Sequence, residues 1–365
     1  LRFCVADRIY AFLLHGPVYY HQSIVKFAGS KLIQASTNSI QFIMTKSAAL
    51  YFHYPCFDGL VSAALSWEFL ETQKGWSVDE LCPVNYTVRN NWLASGLKRP
   101  CAIVDFLYHP SADFWADHHA TSMLSKEAEA DYQRRRAEFP LYFDEQAGSC
   151  ASLLFRHVGH VLAGKAHLQE MVAWAEKIDS ARYASVEEAV LGKAAALKIN
   201  RSILFESGAD YARFLCKELR AHPLDHVAAL DAVRNRQDEV ERRIRAGLKQ
   251  VEKRIRMEPG AVATFEAEQG KDEMINRYSA YYFVPDARYS VGIIHSEEGT
   301  AVTAMRNPWR EFPSVGLGRI FEKFGGGGHQ RVGSIFIPKN ESQRIPNVVK
   351  SLLSQLSVTG PEVNV

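Results

Sequence analysis

Between residues 48 and 119 short apolar runs alternate with segments of helical length, and three of those runs close on a histidine or an aspartate. The first, AALYFH at 48–53, is short and apolar enough for a buried strand. DGLVSAALSWEFLETQKG after it has helical length and spacing and stops at Gly75. LCPVNYTV reads as a second strand, CAIVDF at 101–106 as a third, apolar enough to be covered on both faces, and ADFWADHH as a fourth. Strands separated by helices predict an α/β fold on a mostly parallel sheet with flanking helices. In such a sheet, polar residues at the carboxyl ends of the strands line the binding crevice. His53 with Asp58 beyond it, Asp105, and Asp117-His118-His119 are therefore expected on one edge of one sheet.

A divalent ion needs deprotonated oxygens or neutral imidazoles converging on one point, and a mixed set suits manganese, iron or zinc better than calcium. His53, Asp58, Asp105 and His118 supply such a set from three strand ends. Two ions about 3.5–4 Å apart would share a carboxylate and neutralise charge on a phosphoryl group. Asp105, on the central strand, is the expected bridge. A second signal is GGGGH at 325–329, placed between a helix pattern and a strand pattern. The backbone N–H groups of Gly325, Gly326, Gly327 and Gly328 are expected to form an anion nest, with His329 adding a donor or a charge.

The remainder of the chain sets the organisation. A length of 365 residues predicts more than one core. A hydrophobic fraction of 47% with 23% charged residues is that of an ordinary globular protein. The net charge of +2 excludes a global positive field, so any nucleic acid must be held in a local groove. Six cysteines lie scattered without a C-x-x-C pair, which predicts reduced thiols and a cytoplasmic protein. No apolar run reaches the roughly 18 residues of a membrane span, and Asp7 and Arg8 interrupt the apolar start, against a signal peptide. Residues 1–43 are expected to be an extension outside the functional fold, because the strand pattern starts only after Met44.

MVAWAEKIDSARYAS is a helical run ending at Asp179, an acid that on its own reads as facing water. Val240, Ile244, Leu248, Val251 and Ile255 make one stripe on a heavily charged helix, expected to be a connector with one face docked. After Gly270, YYFVP, YSVGIIHS and TAVTAMR read as strands, followed by a helix, the glycine loop and a closing strand. The expected division is a metal-binding domain over 44–200, a helical linker over 201–270, a smaller α/β domain over 271–345, and a helix and tail over 346–365.

Asp117-His118-His119, with Asp105 before it and HYPCFDGLVSA near the start of the fold, resembles the DHH phosphoesterase superfamily. FGGGGHQRVGS resembles the signature of that superfamily's DHH-associated C-terminal domain. The two signatures stand in the expected order and cover nearly all of 48–345. The resemblance implies a two-domain phosphoesterase, usually manganese-dependent, with magnesium, cobalt or iron as other divalent choices and one or two ions bound. It implies metal ligation by His53, Asp58, Asp105 and His118, support from Asp117, and a place for His119 next to the substrate phosphate. It also moves Asp179 from a water-facing acid to the fourth metal-binding motif, and implies a substrate-binding face made by Arg306 and the Gly325–His329 loop.

The first motif departs from the common form, in which two acids follow the histidine. Here Cys56 and Phe57 occupy the region of the earlier acid, and the loop is one residue shorter. One metal position is accordingly weak, takes Cys56 as a soft ligand, or is absent. The expected activity is hydrolysis of small phosphodiesters, such as short oligonucleotides or dinucleotides, with His119 and Asp117 as the catalytic pair. A nucleoside bisphosphate phosphatase, a pyrophosphate or polyphosphate hydrolase, and a non-catalytic nucleotide-binding module with a degenerate metal site are the alternatives. The expected partner is a short nucleic acid or nucleotide, with no membrane; a homodimer is left open.

Overall fold

The computed structural model describes residues 46–162, 164–205, 208–328 and 330–357. The expectation for 1–43, the last residues of the tail and His329 lie outside the described residues. The first half runs β1 (Lys46–His53), α1 (Phe57–Gln73), β2 (Trp76–Val84), a 3-10 turn over Tyr86–Ala94, β3 (Cys101–Val104), β4 (Phe114–Asp117), α2 (Lys126–Arg135), β5 (Leu141–Phe143), α3 (Cys150–Val158) and α4 (Ala166–Asp179). The strands form one parallel sheet in the order β2-β1-β3-β4-β5. The chain moves outward from β1 to β2 and then resumes on the other side of β1 with β3. The crevice of such a sheet opens where the order reverses, between the carboxyl ends of β1 and β3.

Alternation along the strands divides the side chains between two cores. Leu50, Phe52, Ala102, Val104, Phe114 and Ala116 face a large core shared with α1, α3 and α4. Ile103 and Trp115 face the opposite side, packed with Trp92, Tyr108 and Tyr132 under α2 and the 3-10 turn. Covering both faces is what makes β3 and β4 apolar throughout.

Five further helices follow: α5 (Val186–Leu191), α6 (Ala195–Ile203), α7 (Ala209–Ala221), α8 (Leu224–Ala229) and α9 (Asp231–Arg254). The stripe on α9 is buried at Val240, Ile244, Leu248 and Val251. Its arginines largely pair along the same helix, Arg242 with Glu239 and Arg245 with Glu241. The chain then forms β6 (Arg256–Glu258), β7 (Val262–Glu268), α10 (Ser279–Phe283), β8 (Tyr289–His295), β9 (Gly299–Arg306), α11 (Leu317–Glu322), β10 (Gly327–Gly328), β11 (Val332–Pro338) and, after a 3-10 turn, α12 (Ile345–Leu356). Its sheet is mixed, in the order β10-β11-β9-β8-β7-β6, with only β7 and β8 parallel. Among the described residues no helix is long and apolar enough to cross a membrane.

Several elements differ from the sequence reading. The second sheet begins at Arg256, so 256–268, expected inside the helical linker, are two of its strands. The β7 face Ala263, Phe265 and Ala267 is buried in the large core, which a linker has no reason to supply. α12 falls where a terminal helix was expected, and it buries Val348, Leu352 and Leu356 against the second sheet. YYF is a single helical turn: Tyr278 and Tyr281, three apart, are buried against Trp309, and this packing overrides the strand preference of an aromatic run. LCPVNYTV is only half strand. β2 starts five residues earlier, at Trp76, because it pairs with β1 along its whole length, and Asn85 then caps the 3-10 turn by accepting from Thr87 N. β5 lacks a sequence signal at three residues.

The buried Glu68 carboxylate makes two ion pairs with a pH consequence. The Glu68 carboxylate lies 2.7 Å from Lys165 Nζ and 3.1 Å from Arg220 Nε. Burial pushes its pKa up, but the hydrogen bonds and charges of Lys165 and Arg220 together outweigh that and hold it below the usual 4.5. Its stabilisation is therefore complete above the unfolded value and is lost as pH falls through the lower folded value. Glu68→Gln is expected to lower unfolding free energy by about 2 kcal/mol at neutral pH. Denaturant titrations should show that difference shrinking as pH falls below the unfolded value and through the lower folded one.

Candidate metal centre

Each strand end around the crevice carries a chemical group. His53 is the last residue of β1. Asp105 follows β3 with φ at 55°, the left-handed region that aspartate tolerates better than most residues and that turns its side chain sharply off the strand. Asp117 closes β4, with His118 and His119 directly after it. Two helix ends complete the ring, Asp58 in the first turn of α1 and Asp179 as the last residue of α4. Helix α1 approaches this closely because residue 59 is glycine: a Cβ there would lie 2.0 Å from the His53 carbonyl oxygen and 3.2 Å from Asp105 Oδ2.

His118 organises the centre. Its Nδ1 stands 3.1 Å from the Ala147 carbonyl, which can only accept, so Nδ1 carries the proton and Nε2 presents a lone pair. That Nε2 faces Asp179 at 3.3 Å and Asp58 and Asp105 at 3.7 Å each. Asp58 is held in place by the start of α3, accepting from Cys150 N at 2.7 Å and Ala151 N at 2.9 Å. His53 Nδ1 lies 3.4 Å from Asp105 Oδ2. Asp105 is 1% exposed, yet neither of its oxygens has a hydrogen-bond partner, and neither do His53 Nδ1 and His118 Nε2. The Asp105 oxygens and the His118 Nε2 lone pair thus share a buried space, an unfavourable arrangement that a cation or a proton among them relieves.

The donor chemistry fits a divalent ion. Asp58, His118 and Asp179 offer atoms mutually within 4.8 Å, as do His53, Cys56 and Asp105, and Asp105 belongs to a third such group with His118 and His119. Asp117 differs from these acids in being satisfied. It accepts from His118 N and His119 Nδ1, both at 2.8 Å, and from the Ser122 hydroxyl, so it positions His119 and has little left to offer an ion.

The electrostatics agree. Burial, with Asp58, Asp117 and Asp179 nearby, pushes the Asp105 carboxyl well above the carboxylate range. Burial and Asp58 raise Asp179 to about 6, against the opposing pull of His118, His119 and Arg277. Burial lowers His53 to about 4, which keeps its ring neutral and able to ligate. For His119 burial disfavours the charged ring, but Asp117, through its hydrogen bond and charge, with help from Asp179 and Asp58, raises it overall. Raised carboxyl values mean that the metal-free fold loses stability as pH climbs from the unfolded value of 3.8 to the folded one, about 6 for Asp179. A cation needs those carboxylates ionised, so it restores more as pH rises. The shift in thermal midpoint on adding Mn2+ is expected to be small at about pH 5 and to grow up to about pH 7, readable by differential scanning fluorimetry.

The centre opens into a cavity of about 1060 Å³ between the two sheets. His53, Cys56, Asp58, His118 and Asp179 line one wall, and Arg277, Arg306, Gln330 and Arg331 the other. Arg306 is only 6% exposed, and its guanidinium donates to Asn307 O at 3.0 Å and Phe312 O at 3.2 Å while lying over the Phe312 ring. Its donors are thus partly engaged in holding that wall. The glycine run does not form the expected nest: Gly325 N and Gly326 N donate to Glu322 O and Phe321 O at the end of α11, and Gly327 and Gly328 pair with β11. Gly326 and Gly328 are needed there for space, since a Cβ would meet Ser334 O at 2.4 Å and Val332 O at 2.2 Å. Arg277 and Arg331 on the cavity wall were not singled out in the sequence: Arg277 stands in no pattern that marks it, while Arg331 lies within FGGGGHQRVGS, two residues after the glycine–histidine run that drew the reading. Gly59 could have been noticed as the glycine directly after an acid in a strand–turn–helix.

No family model and no curated protein sequence matches this chain. Solved structures do. The pGpG-specific phosphodiesterase PggH from Vibrio cholerae is similar at a TM-score of 0.64 and 18% identity, over 87% of this chain and 100% of that one. The DHH domain of a member of the s1p family of ribosomal proteins is similar at a TM-score of 0.55 and 14% identity, over 86% of this chain and 87% of that one. The class is therefore an α/β protein whose parallel sheet carries His and Asp residues at its strand ends. Its fold is that of the DHH proteins, as the Asp117-His118-His119 triplet implied.

Proposed function

We propose that this protein is a metal-dependent phosphoesterase that hydrolyses small phosphodiesters, short oligonucleotides or dinucleotides, in the cleft between its two sheets. The observation that carries the reading is the buried group of unpartnered polar atoms, the Asp105 oxygens with His53 Nδ1 and His118 Nε2, beside a large cavity that His53 and His118 line. Asp58, Asp105, His118 and Asp179, with His53, would hold one or two divalent ions, manganese foremost. Bound there, such ions supply Lewis acidity towards a phosphoryl oxygen and a water acidic enough to attack near neutral pH.

The chain's own groups do the rest. Asp117 fixes the His119 ring through Nδ1, leaving Nε2 to meet a non-bridging oxygen of the phosphate, and the raised pKa keeps a proton on that ring for donation. Arg277 and Arg331 on the facing wall provide positive charge for the remaining phosphate or sugar oxygens. The cavity volume lies just above the roughly 300–1,000 Å³ common for small-ligand sites. The similar Vibrio protein is named for its action on pGpG, which favours dinucleotides among the candidates.

The test is product release from a labelled dinucleotide, a five-residue RNA, a cyclic dinucleotide, a nucleoside bisphosphate and pyrophosphate, each with and without Mn2+. Cleavage of the linear dinucleotide and short RNA only with Mn2+ is expected, and His118→Ala should lower the rate by about 10³-fold, the equivalent of several kcal/mol. Turnover of the bisphosphate or pyrophosphate alone would replace the phosphodiester assignment. Binding without any turnover would leave a nucleotide-binding module, and full activity of His118→Ala would place the chemistry elsewhere.

A further inference from the structure

Cys56 is poorly explained by packing or by helix formation. It is the N-cap of α1, a position where Ser, Thr, Asp or Asn normally satisfies a free N–H, yet its side chain makes no cap bond. A cysteine kept for its small apolar bulk is usually buried in a core. Cys56 is only half-buried, lies outside the apolar cores, and lines the cavity instead. Its Sγ lies within 4.8 Å of a His53 ring nitrogen and an Asp105 oxygen. The second observation is Asp105 itself, 1% exposed, with both carboxylate oxygens unpartnered and Oδ2 turned to His53 at 3.4 Å, on the Cys56 side. Ligand distances of about 2.0–2.3 Å to a shared ion require only a small contraction of that group.

We propose that Cys56 is a thiolate ligand, with His53 and Asp105, of one metal position in this centre, and that this position therefore prefers a borderline-soft ion such as Zn2+, Co2+ or Fe2+ over Mg2+. This rests on the reading of the centre as a metal site. Asp58, His118 and Asp179 form the harder counterpart, so the two positions differ in metal preference although Asp105 stands beside both. On binding, the thiol proton leaves to water and the thiolate takes its place at the ion.

The experiment is absorption spectroscopy of the intact chain titrated with Co2+, alongside calorimetry. Wild type should show a near-ultraviolet thiolate-to-cobalt charge-transfer band. Cys56→Ser, close to isosteric, and Cys56→Asp should lose it while keeping visible cobalt transitions and the far-ultraviolet circular dichroism of the folded chain. Cys56→Asp should also shift the affinity ratio of Zn2+ over Mg2+ by about 10–100-fold towards Mg2+, the scale on which a changed ligand environment moves metal binding. Cobalt bound without the band, or a band that survives in Cys56→Ser, overturns the thiolate assignment and leaves the phosphoesterase reading standing. Absence of any Co2+ or Mn2+ binding to wild type overturns both.

Discussion

Asp105→Asn is expected to lower the proposed phosphodiester hydrolysis by about 10³-fold or more and at the same time to raise the thermal midpoint of the metal-free protein. The two effects have one cause. Asp105 is buried at 1% exposure, lacks hydrogen-bond partners, and lies among Asp58, Asp117 and Asp179, so its ionised form is disfavoured in the empty site and required in the loaded one. The amide removes the charge while keeping the shape. Asparagine also tolerates the left-handed backbone that Asp105 adopts, so the turn after β3 survives. Calorimetry should show weaker Mn2+ binding in the variant, and a thermal scan without metal should show a higher midpoint. A lower metal-free midpoint would mean that the carboxylate is a structural asset and that the centre is not a cation site.

The second large effect is expected at Gly59. A Cβ there would meet backbone, the His53 carbonyl oxygen at 2.0 Å and its carbon at 2.9 Å, and no rotamer change can relieve that contact. Gly59→Ala must push α1 away from β1, and these are the elements that set Asp58 against His53. Forcing extra atoms into a packed site typically costs about 1–3 kcal/mol; with backbone on the receiving side we expect at least the upper figure. Urea denaturation should show that loss, and Mn2+ titration should show binding weakened in the fraction that still folds. Wild-type stability in this variant would contradict the close approach of helix to strand on which the whole centre depends.

Much of this centre was legible in the residues because it obeys a rule of parallel sheets. Apolar runs announce buried strands, and the polar residue that interrupts each run must lie where the strand emerges, so His53, Asp105 and Asp117-His118-His119 could be assigned to one edge before any coordinates. Asp179 could not be placed by that rule. Its position at the end of a helix reads as solvent-facing, and only the packing of α4 beside α1 and α3 brings its carboxylate to 3.3 Å from His118. The glycine run shows the opposite failure. Its composition suits an anion nest, but two of its N–H groups close α11 and the other two glycines pair with β11, a competition that composition cannot show.

The second sheet was harder to delimit. Residues 256–268 follow a charged helix directly and carry alternating Glu residues, so they continue the look of a linker, while their alternate Ala and Phe find a core only when that helix folds back on them. YYF has the composition of a strand and becomes a helical turn because Tyr281 packs in a T-shaped arrangement with Trp309, about thirty residues away. The sequence by itself determined the class of fold, the edge that carries the chemistry and the ligand types available there, since these follow from local hydrophobic pattern and residue identity. The tertiary structure alone decided which side chains are already satisfied and which remain unpartnered, because hydrogen-bond partners such as Ala147 for His118 and Ser122 for Asp117, and the approach that Gly59 permits, arise only when separate segments meet.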